Sequence, residues 1–161
     1  MATADEADQV TVVDFWANGF GMRARIALRE LGVAFRYVEE DLRVRERSEL
    51  VFSTQTRFLK SKGDEKAAAK AELLEQLKRL EEVLGDKTFF AGDEFGFLDA
   101  VVIPFSSMFH GYEQHGGFDL DVECPGLMRW VRRCKERESV KGVLPDEDEM
   151  YELHKKWYGI E

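Results

Sequence analysis

The sequence predicts a mainly α-helical protein in which a single β-α-β unit precedes a bundle of helices. A β-branched run at residues 10–15 and an alternating run at 33–38 have the pattern of strands, and helical spacing occupies residues 20–31 between them. From residue 52 onward, apolar residues recur at helical spacing and no third strand pattern follows. The chain is therefore expected to begin with a small parallel sheet and to continue as helices.

The composition is that of a globular protein with an acidic surface. Of 161 residues, 44% are hydrophobic and 34% are charged, and the formal net charge is −9. Because this charge repels phosphate backbones and anionic lipids, neither nucleic acid nor a membrane is an expected partner. The first nine residues lack the pattern of a signal peptide, and no apolar run has membrane-spanning length, so we expect a cytoplasmic protein.

The two cysteines agree with a reducing compartment. Cys124 and Cys134 lack the paired spacing of a zinc site, so no metal is expected, and structural thiols are the favoured interpretation. The alternative is a redox role for Cys124, because the dipole of the helix that begins beside it could lower the pKa of its thiol.

The longest helix signal covers residues 64–84. Leu73, Leu77, Leu80 and Leu84 repeat at four, three and four residues, which places them on one helical face. The run is too short for several heptads, so it indicates a core-facing stripe in a bundle rather than a coiled coil.

The helix predicted at residues 97–109, called the central helix below, is apolar on every side and should be the buried centre of the bundle. Pro104 should kink it. Gly96 is placed as its N-cap, and the side chain of Asp99 can reach back to an unpaired amide at this helix start. Asp99 is therefore interpreted as a folding residue and not as a catalyst.

Four segments together resemble a known family. They are VTVVDFWANGFGMRARIALRELGVAFRYVEEDL, GDKTFFAGDEFGFLDAVVIPFSSMFHGYE, CPGLMRWVRRCKERESV and the terminal KKWYGIE. They are similar to the plant tau-class glutathione S-transferases. The resemblance implies a thioredoxin-like domain that binds glutathione, here incomplete at residues 1–51, and an all-helical C-terminal domain at 52–161 that holds the electrophile.

The resemblance also implies how the thiol is activated. In the family a hydroxyl at the start of the first helix donates a hydrogen bond to the glutathione sulfur and, with the helix dipole, lowers the thiol pKa. This sequence has Asn18 where the family has serine, and Gly19 where it has proline. Asn18 is the candidate catalytic residue because an amide also donates hydrogen bonds. Equally, Asn18-Gly19 is a favourable turn dipeptide with no catalytic role.

A second departure from the family is a missing segment. Between residues 51 and 52 the family would place a loop with a cis-proline, two strands, a Glu-Ser pair that holds the γ-glutamyl group, and a helix. The remaining candidates for binding glutathione are Asn18, Phe20 and Arg45, with Arg47 as an alternative to Arg45. The alternative for both arginines is that they are ordinary solvated charges. We therefore expect weak or absent glutathione binding.

The electrophile pocket implied by the resemblance is apolar. Its candidate residues come from the first helix, the central helix and the C-terminus, and they are Phe20, Phe105, Met108, Phe109, Tyr112 and Trp157. For Phe105 and Met108 a plain core role is the stronger alternative, whereas Tyr112 and Trp157 carry polar groups near element ends. The three histidines have no spacing that indicates a metal or an acid-base site.

These features predict a glutathione transferase that conjugates glutathione, as co-substrate, to hydrophobic electrophiles in detoxification, with weak activity. The alternatives are a non-catalytic carrier of apolar ligands, a partner of a full-length transferase, or a splice product without a stable role.

The missing third strand also leaves the strand at residues 10–15 as an edge that something must cover. Residues 52–59 could fold back, residues 1–38 could fray, or a second chain could pair there, which we favour.

Overall fold

The computed structural model describes residues 10–39, 53–90 and 92–160. The first described unit consists of strand β1 (Val10–Asp14), helix α1 (Gly19–Glu30) and strand β2 (Phe35–Glu39). The two strands pair in parallel, with Val10 opposite Phe35. The predicted β-α-β unit is thus confirmed, although β2 begins two residues later than the alternating pattern indicated.

The rest of the described chain is helical. The helices are α2 (Ser53–Lys60), α3 (Gly63–Leu84), α4 (Phe97–Val102), a 3-10 helix (Ile103–Met108), α5 (Phe109–Gly116), α6 (Leu120–Glu123), α7 (Pro125–Lys135) and α8 (Glu147–Tyr158). A mainly helical bundle after a β-α-β unit is the fold that the sequence predicted. The predicted domain boundary at residues 51 and 52 lies outside the described residues.

Helix α3 packs as its leucine pattern predicts. Leu73, Leu77 and Leu84 are buried, and Leu80 packs against the same core. At the far end of the helix, the carboxylate of Glu81 accepts hydrogen bonds from the backbone amides of Gly126 and Leu127. Amides in the first turn of a helix have no carbonyl partner within that helix, so Glu81 supplies the acceptor for these two amides of α7.

The central helix is divided by its proline. Residues 103–108 form a 3-10 helix between α4 and α5, because Pro104 has no amide hydrogen with which to continue the α-helical pattern. The hydroxyls of Ser106 and Ser107 donate to the carbonyls of Ile103 and Pro104, over 2.8 and 2.7 Å, within the same segment. The irregularity at Pro104, predicted as a kink, is present as this change of helix type.

Helix α1 connects the small sheet to the helical bundle. It packs against α4 and the 3-10 helix. At its C-terminal end, Glu30 accepts from the Arg137 guanidinium and from the Ser139 hydroxyl, so polar contacts reinforce the apolar packing.

The redox alternative for Cys124 is wrong. Both cysteines are fully buried and unpaired. Burial raises the pKa of the Cys124 thiol to about 11, and the negative charge of Glu81 acts in the same direction. The thiol is therefore neutral and inaccessible at physiological pH.

Candidate functional site

An apolar cleft opens between α2, α3 and the helical run from α4 to α5. It has a volume of about 420 Å³, which is within the range of small-molecule sites. Its lining residues are Thr54, Gln55, Leu73, Gln76, Leu77, Leu80, Val102, Phe105, Phe109 and Tyr112. Leucines form one wall and aromatic rings the other, so the cleft suits an apolar ligand.

The polar end of the cleft is organised around Tyr112. The hydroxyl of this buried residue donates to Oε1 of Gln55 over 2.6 Å, and burial raises the pKa of that hydroxyl well above its usual range. The Gln55 amide nitrogen donates to no described residue. Because Tyr112 donates to the oxygen, the orientation of the Gln55 amide group is fixed at this end of the cleft.

Asn18 lies at the start of α1, where the dipole of a 12-residue helix is positive. Its Oδ1 accepts from the backbone amide of Phe20 over 3.2 Å and caps the helix. Its Nδ2 donates to Oδ1 of Asp14 over 2.7 Å. Nδ2 carries two hydrogens, and among the described residues only Asp14 accepts one of them.

The neighbour of Asn18 is a buried acid. Asp14 is 4% exposed, and burial raises the pKa of its carboxyl group, although the hydrogen bond from Asn18 and the charge of Arg25 act in the opposite direction. When ionised, this carboxyl group places a negative charge beside the N-terminus of α1. Such a charge opposes the formation of a thiolate at the same helix end.

The structure brings together only some of the predicted pocket residues. Phe105, Phe109 and Tyr112 share the cleft. Met108 is buried under it, with its sulfur 3.5 Å from the Tyr112 hydroxyl. Trp157 lies on α8, is 39% exposed, and has its ring centroid 5.7 Å from that of Phe15, so it lies outside the cleft lining.

Phe20 and Arg45 are the other two residues that were predicted to contact a ligand. Phe20 is 47% exposed on the first turn of α1 and is linked to Phe105 through Arg23, whose guanidinium carbon lies over both rings. Arg45 lies outside the described residues. Asn18 and Phe20 are thus neighbours at the start of α1, as the sequence predicted.

Sequence reasoning missed three features of this region: Arg23, Gln55 and the cleft-facing side of the α3 leucines. A signal existed for Arg23, since it follows Phe20 by three residues and must share its helical face. No local pattern could show that Gln55 meets Tyr112, because 57 residues separate them. The α3 leucines were assigned to the core alone, and the period of an apolar stripe does not distinguish core from cleft.

Two possible kinds of site are absent from the described part of the chain. No three His, Cys, Asp or Glu side chains there are grouped so that they could hold a metal ion. Nor does any described helix combine the length and apolarity needed to cross a bilayer.

Comparison with known proteins identifies the class of protein that this fold and cleft define. Residues 63–133 match the family model for the C-terminal domain of glutathione S-transferase. The structure of rice GST1 in complex with glutathione superposes with a TM-score of 0.83 at 26% identity, over 94% of this chain and 96% of the rice chain. The mango tau-class glutathione S-transferase superposes with a TM-score of 0.79 at 19% identity, over 92% and 98% of the two chains, which shows the shared fold.

Sequence relatives establish the family. Glutathione S-transferase U25 of Arabidopsis thaliana is 35% identical over 219 residues, covering 96% of this chain and 99% of the relative. Glutathione S-transferase 3 of Glycine max is 34% identical over 207 residues, covering 91% and 94%. The chain belongs to the glutathione S-transferase family, and its relatives are those of the plant tau class. Both aligned stretches are longer than the chain itself, so these relatives contain internal residues that have no counterpart here.

Proposed function

We propose that this protein holds apolar electrophiles in the cleft between α3 and α5 and conjugates them slowly to glutathione, in the manner of a detoxifying transferase. The observation that carries the proposal is the cleft, whose leucine and aromatic walls lie in the domain that binds the electrophile in this family. Proximity of two bound reactants supplies much of the rate in such a reaction.

The slow rate follows from the start of α1. The helix dipole and one N–H of Asn18 favour a thiolate, but Asn18 already donates to Asp14, whose carboxyl group opposes negative charge. Glutathione affinity should also be low, because the segment that would supply the cis-proline and the Glu-Ser pair is missing from the sequence. Each lost hydrogen bond to a charged group of the ligand weakens binding by roughly 1.5 to 3 kcal/mol.

A second candidate function is a non-catalytic carrier of apolar ligands, or a partner of a full-length transferase. The specific observation in its favour is the bond between Asn18 and Asp14, which gives the Asn18 amide a structural task. Both functions use the same cleft. They differ in whether the start of α1 activates a thiol.

A conjugation assay with glutathione and 1-chloro-2,4-dinitrobenzene separates the two functions. We expect turnover above the uncatalysed rate, and we expect Asn18→Ser to raise kcat/KM about tenfold, because a hydroxyl still caps the helix and donates to the sulfur. Asn18→Ala should reduce the rate to background. A wild-type rate at background, together with calorimetric binding of the same electrophile, would instead establish the carrier.

Glutathione binding is measured separately, by calorimetry and by retention on immobilised glutathione. We expect a dissociation constant no tighter than about millimolar. A value in the low micromolar range would contradict the argument from the missing segment, because the remaining contacts would then suffice.

The proposal extends to location and assembly. The buried, unpaired cysteines agree with a reducing compartment such as the cytoplasm. A homodimer is favoured because, among the described strands, β1 pairs with β2 alone, so that a second chain could pair along its other edge.

A further inference from the structure

A small polar pocket lies where the loop after α3 meets α7. It has a volume of about 250 Å³ and shares no lining residue with the apolar cleft. Three cationic side chains line it, Lys87 from the loop and Arg129 and Arg133 from α7. Among its described lining residues, the one carboxylate is that of Asp86. The pocket therefore concentrates positive charge in a protein whose net charge is −9.

The guanidinium of Arg133 is held in one orientation in this pocket. Its Nε and Nη2 both donate to the carbonyl of Thr88, over 3.1 and 2.9 Å. A guanidinium has five N–H donors, and no other described residue accepts one from Arg133. Because the carbonyl fixes the plane of the group, an acceptor that enters the pocket meets a donor whose side chain is already ordered.

The cations of α7 divide into two sets. Outside the pocket, Arg132 pairs with Asp121 over 2.8 Å, and Lys135 pairs with a glutamate of α8. Arg129 and Arg133 are four residues apart and so lie on one face of the helix. Neither has a carboxylate at ion-pair distance among the described residues. The cations that face the pocket are thus the ones that lack a described counter-charge.

Neighbouring negative charge does not cancel these cations. Lys87 also lacks an ion pair among the described residues, and its Nζ donates to the carbonyl of Phe90 over 3.3 Å. Helix α3 ends at the pocket, but a helix C-terminus carries only about half a negative charge. The carboxylate of Glu81 accepts from two first-turn amides of α7, so the positive end of that helix offsets it. Three cations therefore exceed Asp86 and the end of α3.

We propose that this pocket binds phosphate, either as the free ion or as the terminal group of a small phosphorylated molecule. Arginine matches phosphate oxygens through parallel N–H donors, and lysine adds a compact positive charge. The volume of about 250 Å³ lies below the range of sites for drug-sized ligands, which agrees with a small anion. The inference does not depend on the proposed function, because the pocket and the apolar cleft are separate.

An NMR titration of the isotope-labelled full chain with inorganic phosphate tests the site directly. The titration is made at about pH 8, where phosphate is mainly a dianion, and sodium chloride at matched ionic strength is the reference. We expect saturable shifts of the amides of residues 85–88 and of the Arg133 Nε–H, with a dissociation constant of about 1 mM or tighter. Shifts that do not saturate, or that saturate only elsewhere on the protein, would overturn the inference.

Variants test whether the lining cations carry the binding. Arg129→Gln removes one of the three cations from an exposed position, so it should weaken phosphate binding about tenfold without disturbing the fold. Arg132→Gln is the matched control, because it removes the same charge from α7 outside the pocket lining and should change the affinity less than about twofold. Asp86→Asn should tighten binding about threefold or more, since it removes the described carboxylate of the lining. Such a gain cannot arise from a folding defect.

A comparison of inorganic phosphate with glycerol 3-phosphate distinguishes the two sources of the phosphate group. Tighter binding of the ester would identify a small phosphorylated molecule as the ligand, whereas equal or weaker binding would identify the free ion. Equal effects of Arg129→Gln and Arg132→Gln would show that phosphate responds to the overall charge of the protein, and the assignment to this pocket would then be wrong. Each of these results is independent of glutathione conjugation, so failure here leaves the proposed function to its own assay.

Discussion

The indole N–H of Trp130 donates to Oδ1 of Asp99 over 2.7 Å in the centre of the helical bundle. The same oxygen accepts from the backbone amide of Phe90 at 2.9 Å, and Oδ2 accepts from the amide of Gly96 at 2.9 Å. Both side chains are fully buried. Asp99 therefore joins the start of α4, the preceding loop and helix α7 through a single carboxyl group.

We expect Asp99→Ala to destabilise the fold by about 3 to 5 kcal/mol in urea unfolding. The change leaves two buried donors, the Phe90 amide and the Trp130 indole, and the partly buried Gly96 amide without their acceptor. Each unsatisfied buried donor costs roughly 1 to 3 kcal/mol. Loss of a helix cap alone would cost about 1 to 2 kcal/mol. Trp130→Phe, which removes one donor and leaves the other two bonds in place, is the matched variant and should have a smaller effect. Equal stability of Asp99→Ala and the parent protein would refute this account.

A matched glycine pair tests the packing of Asp14 against α1. A Cβ at Gly21 would overlap the Asp14 carboxyl group, whereas a Cβ at Gly19 would meet nothing within 4 Å. We expect Gly21→Ala to lower the free energy of unfolding by about 1 to 3 kcal/mol, because the overlap must displace Asp14 from Asn18. Gly19→Ala, in the same first turn, should change stability by less than about 1 kcal/mol. Similar melting temperatures for the two variants would show that Asp14 moves aside freely.

Acid should destabilise the protein through His154. This residue is 1% exposed, its ring lies beside those of Trp157 and Tyr158, and burial lowers its pKa to about 4. Between pH 6.5 and 4 the unfolded chain binds a proton at this site and the folded chain does not, so the free energy of unfolding falls as the pH falls. The full effect is on the order of 3 kcal/mol.

The pH dependence is measured as the slope of stability against pH, so a variant of lower overall stability remains informative. His154→Gln should flatten the slope between pH 6.5 and 4. Leu153→Ala, which removes a partly buried apolar side chain of the same helix and no titratable group, is the control and should leave the slope unchanged. An unaltered slope in His154→Gln would assign the acid sensitivity to other groups.

Local patterns predicted those features that depend on near neighbours in the sequence. The strands, the leucine face of α3, the break at Pro104 and the bond from Asp99 back to Gly96 all involve residues within a few positions of each other. Asp99 also bonds Phe90 and Trp130, at separations of 9 and 31 residues, and no periodicity signals such contacts. Three of the predicted pocket residues, Phe105, Phe109 and Tyr112, line the observed cleft. The opposite wall was not predicted, because it depends on how α3 packs against these residues.

The same limit applies to the start of α1. The sequence predicted that Asn18 begins the helix and could meet a ligand, since turn and capping chemistry are local. It could not show that Asp14 takes one of the two N–H groups of Asn18, because that depends on how closely β1 approaches α1 at Gly21. Whether Asn18 activates a thiol stays a prediction.

The last prediction concerns the open edge of the sheet. Among the described strands, β1 pairs with β2 and with no other, and Val10 is 42% exposed. Residues 52–59 were one candidate to cover this edge, but Ser53–Lys60 forms helix α2, which packs on α3 and α8 and adds no strand to the sheet. Two parallel strands alone are marginally stable, and an unpaired edge with apolar side chains favours pairing with a second chain.

We therefore expect a dimer in sedimentation at micromolar concentration, with slow amide exchange across Val10–Asp14. Val10→Lys should weaken the dimer at least tenfold, because a charge at the edge opposes pairing and remains easily solvated in the monomer. Val122→Lys is the matched control, since Val122 is an exposed valine of α6 outside the sheet. A monodisperse wild-type monomer whose Val10–Asp14 amides are strongly protected would show that the chain covers its own edge, and the proposed homodimer would then be wrong.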